Sequence, residues 1–442
     1  MIFLANWRTK KPVPMVYRRN FFHLYMDIAW YGVLSGSAIA FAGVFATRLG
    51  ASAVQIGLLN AGPAIVSLLF TLPAGQWLNR HPVQQSVFWT AVFHRLFYFF
   101  WILLPWVLPP TGQIWGLIML TLLMSVPGTG LAVGFNALFA GAVPVNWRSH
   151  VAGIRNALLA LTYIVVSLVS GWLLNILPFP VGYQVIFGIG FFGAVMSTFH
   201  LWFIHSHEST GETTRFRHHT LASPGLMRTS GDGLRAAIGL RFIRIGGGVQ
   251  ELLQIRVLRG RYGYLMLALF AFHFTQFLAI PLFPLYWVNQ LLLTDQQIGW
   301  GTALFYGTVF MGSTQLVRLT NWLGNYRLVV LGAALMSFYP ALTALTQSLP
   351  MYLITSVFGG MAWSLIGNVM ANYLLEQIPD GERPSHLAWY NLALNGGILL
   401  GSMSGPLLSQ QWGIVPALLL IACGRYLAAV ALWWQGKGLV DS

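Results

Sequence analysis

Asp27 is the one carboxylate well inside an apolar run in the first half of the chain, in "HLYMDIAWYGVL". Two arginines stand in comparable runs, Arg95 in "AVFHRLFYFF" and Arg155 in "VAGIRNALLA". A carboxylate taken out of water has two chemistries open to it. Burial disfavours its charged form, so it can take up and carry a proton. Alternatively it pairs with a cation, as buried charges usually do. Arg155 lies at similar depth and is the expected partner, with Arg95 second; pairing and proton carriage both stay open here. Arg95 and Arg425 are also long enough to snorkel to the surface.

The second half has polar groups without charge at depth. His273 and Gln276 are three apart, so they share a helix face. Asn368 pairs in the same way with Asn372, and Asn391 with Asn395, while Asn60, Asn136 and Asn156 are comparable in the first half. Such groups either bond to neighbouring helices or line a solute cavity. His273 with Gln276 is the leading cavity candidate, and Tyr31, Asn136, Asn368 and Asn395 complete the set.

Something must hold these groups away from water. The chain is 56% hydrophobic and 8% charged, with mean hydropathy +0.66, against about 25% charged residues in an average soluble domain. Its solvent is therefore lipid. A crossing helix needs about 20 apolar residues. Twelve such runs are expected near 22–47, 54–78, 86–108, 113–140, 150–177, 183–204, 262–289, 297–319, 327–347, 351–376, 385–408 and 413–435. The fold class is thus all-α, two six-helix bundles at 1–204 and 262–442 joined by a basic linker at 205–261.

The net charge of +14 is a topology signal and calls for no nucleic-acid partner. Alternate connections carry only Arg48 and Asp295, whereas the opposite set is basic: Arg8, Lys10, Lys11, Arg18 and Arg19 at the start, then Arg80, Arg148 and Arg327. The positive-inside rule puts both termini in the cytoplasm of a cell that carries the protein in its inner or plasma membrane. The linker segment "GLRFIRIGGGVQELLQIRVLRGR" reads as a helix lying on the membrane. Its neighbours His205, His207, Glu208, His218 and His219 have no structural zinc spacing, so no metal and no other cofactor is expected. The single Cys423 excludes a disulfide frame.

The two halves repeat each other. "VPVNWRSHVAGIRN" (143–156) and "IPDGERPSHLAWYN" (378–391) share a proline, an arginine four places on and an asparagine eight beyond. Arg148 and Arg383 thus fall on matching positions. "LGASAVQIG" and "LLTDQQIG" echo likewise, with Ser52 and Thr294 placed as helix N-caps. Parallel halves of this kind set a substrate site between them near the midplane.

With this layout the chain resembles the major facilitator superfamily. That family's loop motif, Gly-x-x-x-Asp-Arg-x-Gly-Arg-Arg, is met here by Gly75-Gln-Trp-Leu-Asn79-Arg80-His-Pro82-Val-Gln. Gly75 and Arg80 match, Asn79 replaces the acid, and the later basic pair is missing. The resemblance implies a cytoplasmic gate at Gly75, Asn79, Arg80, Arg148 and Arg383, and a cavity lined by the first, fourth, seventh and tenth spans. It implies a monomeric secondary transporter of a small neutral or amphipathic solute working by alternating access, with proton-coupled efflux as the finer expectation. A transport-dead sensor or lipid-handling protein is the alternative. No HExxH, close carboxylate pair or phosphate loop supports an enzyme. Gly397, Gly401 and Gly405 are spaced for close helix approach, and Pro127-Gly128-Thr129-Gly130, Pro281 and Pro284 are expected to interrupt their helices.

Overall fold

The computed structural model describes residues 15–78, 80–205, 255–367, 369–379 and 383–440. Eleven helices there are long and apolar enough to cross a membrane. The first half comprises α1 (Tyr17–Arg48), α2 (Ala53–Leu78), α3 (Val83–Val107), α4 (Pro110–Ala142), α5 (Arg148–Ile176) and α6 (Val181–Trp202). The second half comprises α7 (Arg261–Gln290), α8 (Asp295–Leu345), α9 (Leu349–Glu376), α10 (Arg383–Trp412) and α11 (Ile414–Val440). Among the described residues there is no strand.

The count of eleven arises at α8. Its 51 residues would extend about 76 Å as one straight helix, over twice the bilayer core. Gly324, at φ 78° and ψ 161°, is not helical. The chain turns there, at a residue type that adopts positive φ without steric cost, and α8 becomes two arms.

The boundaries follow local chemistry. At the start of α8, Gln297 N–H donates to the Thr294 hydroxyl (3.3 Å) and Thr294 N–H to the Gln297 side chain (2.9 Å). Ser52 and Gln55 make the same reciprocal pair before α2, at 3.3 and 2.8 Å. Each box satisfies two N–H groups that a helix start leaves open.

Proline acts unevenly. α7 is interrupted after Ala279, resumes at Leu282 and ends in a π-turn over Tyr286–Gln290. The expected interruption of α4 does not occur: the helix runs through Pro127 to Ala142. Pro127 removes one N–H only, and His94 of α3 supports the helix by holding the Met124 carbonyl at 2.8 Å. Another irregularity, a buried π-turn at Ser35–Ile39 in α1, had no sequence signal.

The glycine series of α10 sets its distance to α7. A Cβ on Gly401 would lie 2.4 Å from the Phe274 carbonyl oxygen, and one on Gly405 2.0 Å from that of Leu278. Neither space admits a methyl group.

We call the end of the bundle where α1 begins the near face and the opposite end the far face. Between the halves, α5 packs on the first arm of α8, and α2 on α10. At the far face one continuous core joins Phe41, Phe45 and Ile56 to Leu282, Phe283 and Ile298. Toward the near face the halves have separate cores. Leu24, Val87, Phe135 and Val151 belong to one, and Leu269, Val329, Tyr373 and Tyr390 to the other. The seam at the far end is tight: Gly171 faces Asp295 and Gly299, and Gly57 sits on the Ser402 carbonyl. Outward positions such as Trp106, Leu267, Leu427 and Trp434 are exposed and apolar, as a lipid-facing surface requires.

Candidate functional site

Four helices of the first half converge on Asp27. Arg155 of α5 donates from Nη2 to its Oδ2 at 3.0 Å, and Ser197 of α6 donates to Oδ1 at 2.6 Å. Arg95 of α3 places Nη2 3.7 Å from Oδ1 and donates from Nη1 to Thr198 Oγ1 at 2.9 Å. Arg155 also reaches the Leu24 carbonyl and lies over the Phe135 ring at 4.8 Å. Asp27, Arg95 and Arg155 are 3%, 2% and 1% exposed, so this is a dry network. The structure thus brings Asp27, Arg155 and Arg95 together as one shared carboxylate between two guanidinium groups, with a formal surplus of one positive charge. Snorkelling of Arg95, an open alternative in the sequence, does not occur, because the bundle supplies acceptors at depth.

Arg425 of α11 does not snorkel either. It is buried and donates to three main-chain carbonyls: Thr275 at 3.2 Å, Gln276 at 2.7 Å and Met336 at 3.1 Å. Two of these lie in the last turns of α7 before its interruption, where helix carbonyls lose their partners and the dipole is negative. The third is the carbonyl whose usual donor would be residue 340, and that residue is proline. The cation therefore sits where broken helices expose oxygen.

A cavity lies between the halves, bounded by Tyr31, Ser67, Thr71, His94, Ser125 and Thr129 from the first half and by Asn391 and Asn395 from the second. Tyr31 and Asn395 were expected in it. Asn136 donates to Ala132, one turn away, at 3.1 Å. His273 is placed elsewhere, at the α7–α10 packing surface: Nε2 is 3.2 Å from the Tyr390 hydroxyl, and its Cβ fills the space beside Gly397. Gln276 is buried in α7, with its carbonyl taken by Arg425. Neither lines the cavity, because the apolar-all-round α7 gives no periodic cue to which face turns inward. Asn368 lies outside the described residues.

At the near face, Gly75 is buried in α2 and Arg80 is exposed beyond its end; Asn79 lies outside the described residues. Arg148 folds back on the helix before it, donating to the carbonyls of Val143 (3.0 Å) and Ala140. It thereby serves the open C-terminus of α4 as a cationic cap. Arg383 is the first residue of α10, as Arg148 is of α5. His207, Glu208, His218 and His219 lie outside the described residues.

Sequence reasoning missed the hydroxyl lining. Ser67 and Thr71 are four apart, and so are Thr121, Ser125 and Thr129. That spacing on one face was the available signal.

At the far face the two isolated loop charges meet. Arg48 donates to Asp295 Oδ1 from Nε (3.1 Å) and Nη2 (3.0 Å), and to the Leu293 carbonyl. Tyr183 donates to Asp295 Oδ2 at 2.9 Å. Closer to the middle, Tyr163 and Tyr306 face each other across the halves with ring centroids 4.1 Å apart.

The arrangement is that of a two-bundle membrane transporter. The chain belongs to the Major Facilitator Superfamily, whose family model matches residues 28–257 and 265–437. No curated protein matches the sequence. Solved structures do match. A bacterial homologue of the iron transporter ferroportin in its inward-facing state is 14% identical, with TM-score 0.68, over 97% of this chain and 100% of that one. The outward-facing form of a bacterial homologue of the same transporter, with soaked iron, gives 13% identity and TM-score 0.58 over 96% and 100%. The xylose transporter XylE from E. coli, in a partially occluded inward-open conformation, gives 15% and 0.64 over 95% and 98%. These likenesses establish the fold.

Proposed function

We propose that the protein is a secondary active transporter that moves a small neutral or amphipathic organic solute by alternating access. The observation that carries this reading is the asymmetry between the two ends of the interface. The halves share one core and a polar clasp at the far face, have separate cores toward the near face, and line one cavity together. In this reading α8 counts as two spans, which makes twelve, arranged as bundles 1–204 and 262–442 around a linker at 205–261. The near face, with both termini, is cytoplasmic, and the state described is open inward. The higher TM-score against the inward-facing ferroportin homologue than against the outward-facing form agrees with that assignment.

Asp27 is the coupling candidate, since it is the carboxylate at depth in the first half and rests among cations that its protonation would release. Export is the direction proposed. The protein is expected to work as a monomer in the cell membrane, with lipid as its other partner and no nucleic acid or cofactor. The test is flux into proteoliposomes under an imposed pH gradient, screened over solutes. Uptake that follows the gradient supports coupled transport. A folded protein that binds solute and moves none is instead the sensor or lipid-handling protein to which the acid-free Gly75–Arg80 motif points.

A further inference from the structure

The hydrogen bonds around the cavity have a common direction. Ser67 donates its hydroxyl proton to the Pro63 carbonyl at 2.8 Å, and Thr71 donates to Ser67. Ser125 donates to Thr121 at 2.6 Å, and Thr129 to Ser125 at 2.9 Å. A hydroxyl has one proton and two lone pairs. With the proton committed to its own helix, what it can offer a ligand is acceptance.

His94 behaves in the same way. Its Nδ1 is 2.8 Å from the Met124 carbonyl, and a carbonyl can only accept. The proton is therefore on Nδ1, which leaves Nε2 as the lone-pair nitrogen of the neutral ring. Asn395 is the clearest case. Its Nδ2 donates to the Asn391 carbonyl at 3.0 Å. Its Oδ1 is buried with no partner, on a residue 6% exposed that lines the cavity. A buried acceptor left unmatched is costly, so a site of this kind favours whatever supplies the missing donor.

A cation would also supply donors. One turn from Tyr31, however, the Asp27 network holds two guanidinium groups against one carboxylate. That surplus of positive charge beside the cavity opposes a second cation.

We infer that the cavity is a subsite for a neutral solute bearing several hydroxyl groups, a polyol or sugar-like molecule, read through its O–H donors by Ser67, Thr71, His94, Ser125, Thr129 and Asn395. The inference deepens the transport reading by naming the substrate class, and its binding half can be tested apart from flux.

The experiment is titration calorimetry on the purified full-length protein with a pentose, a hexose and a hexitol. Each is paired with its fully O-methylated counterpart, which keeps size and acceptors and removes the donors. At least one parent compound is expected to bind, with its methylated partner weaker by tenfold or more. Asn395→Leu weakens the same compound by about tenfold, the worth of one neutral hydrogen bond in a buried site. Because that variant removes a buried amide and can lower stability, Thr129→Val serves as a milder second variant expected to lose several-fold. Methylated compounds that bind as well as their parents, or a folded protein that binds none of the three parents, would overturn the inference. Counterflow in proteoliposomes separates the two readings. Binding of a parent without flux sinks transport and keeps the subsite. Flux of the methylated compounds over their parents sinks the subsite and keeps transport.

Discussion

Arg48 at the end of α1 and Asp295 in the first turn of α8 join the two halves of the chain at the far face, with Arg48 Nη2 3.0 Å from Asp295 Oδ1. The carboxylate is doubly placed, since it also stands at a helix N-terminus, where the dipole favours negative charge. Tyr183 holds its other oxygen. Removing Asp295 therefore strands a partly buried guanidinium as well as a tyrosine hydroxyl. Asp295→Asn is expected to shift the equilibrium toward far-face opening by about 1–2 kcal/mol, or roughly five- to thirtyfold. Spin labels at Ser52 and Gln290, in a Cys423→Ser background, should report a longer distance component. An unchanged distance distribution would reject the clasp.

The Asp27 network has an unequal response to loss of its members. Asp27→Asn leaves two buried arginines without a counter-charge, a change expected to cost about 3–5 kcal/mol. Arg155→Gln leaves Asp27 with Arg95 and Ser197, so it should cost clearly less, and the double variant should recover part of the Asp27→Asn loss. Thermal unfolding in detergent measures all three. Equal losses from the two single variants would mean that Arg95 contributes nothing.

Arg425 and Pro340 should be energetically coupled. Arg425→Met strips donors from three buried carbonyls, at about 1–3 kcal/mol for each group left unsatisfied. Pro340→Ala returns an N–H to the Met336 carbonyl, so it should rescue part of the Arg425→Met loss while changing the parent protein little. A double-mutant cycle with no coupling energy would show that α11 does not brace the break in the second arm of α8.

Sidedness has a direct test. In a Cys423→Ser background, a cysteine at Gln411 on the far face should react in intact cells with a membrane-impermeant maleimide, and one at Gln85 on the near face only after permeabilisation. The reverse pattern would invert the topology.

Substitution at the seam should lock the protein in one direction. Gly57→Val puts a side chain where a Cβ already lies 2.4 Å from the Ser402 oxygen, whereas the Cβ of Gly188→Ala meets nothing within 4 Å. The first should abolish exchange and raise far-face labelling at Gln411. The second should leave both alone, and equal effects would count against the seam.

Much of this was written locally in the chain. Ser52 and Thr294 announce their helices because capping is a matter of three residues. Asp27 and Arg155 could be matched because charges in apolar runs are few. The share taken by Arg95 and Ser197 was hidden, since it depends on how four helices tilt and rotate. The same ignorance of rotation put His273 and Gln276 in the cavity and left out Ser67, Thr71, Ser125 and Thr129. In helices apolar on every side the hydrophobic period is silent, and only polar spacing marks a face. Arg148 carried a family expectation of gating, yet its side chain is committed to the carbonyls at the end of α4. Gly324 had no reading at all, though a positive φ there divides what would otherwise be one overlong helix.

The far-face seam has a mechanical consequence. Where Gly171 meets Gly299 and Gly57 meets Ser402, main chain lies against main chain with no interlocking teeth. One bundle can roll over the other there without any rotamer having to let go. Resistance to that motion is then concentrated in the few bonds around Asp295 and in the apolar patch behind them. The joint works as a smooth bearing with a catch: a small change at the catch alters how often it opens and leaves the path of opening the same.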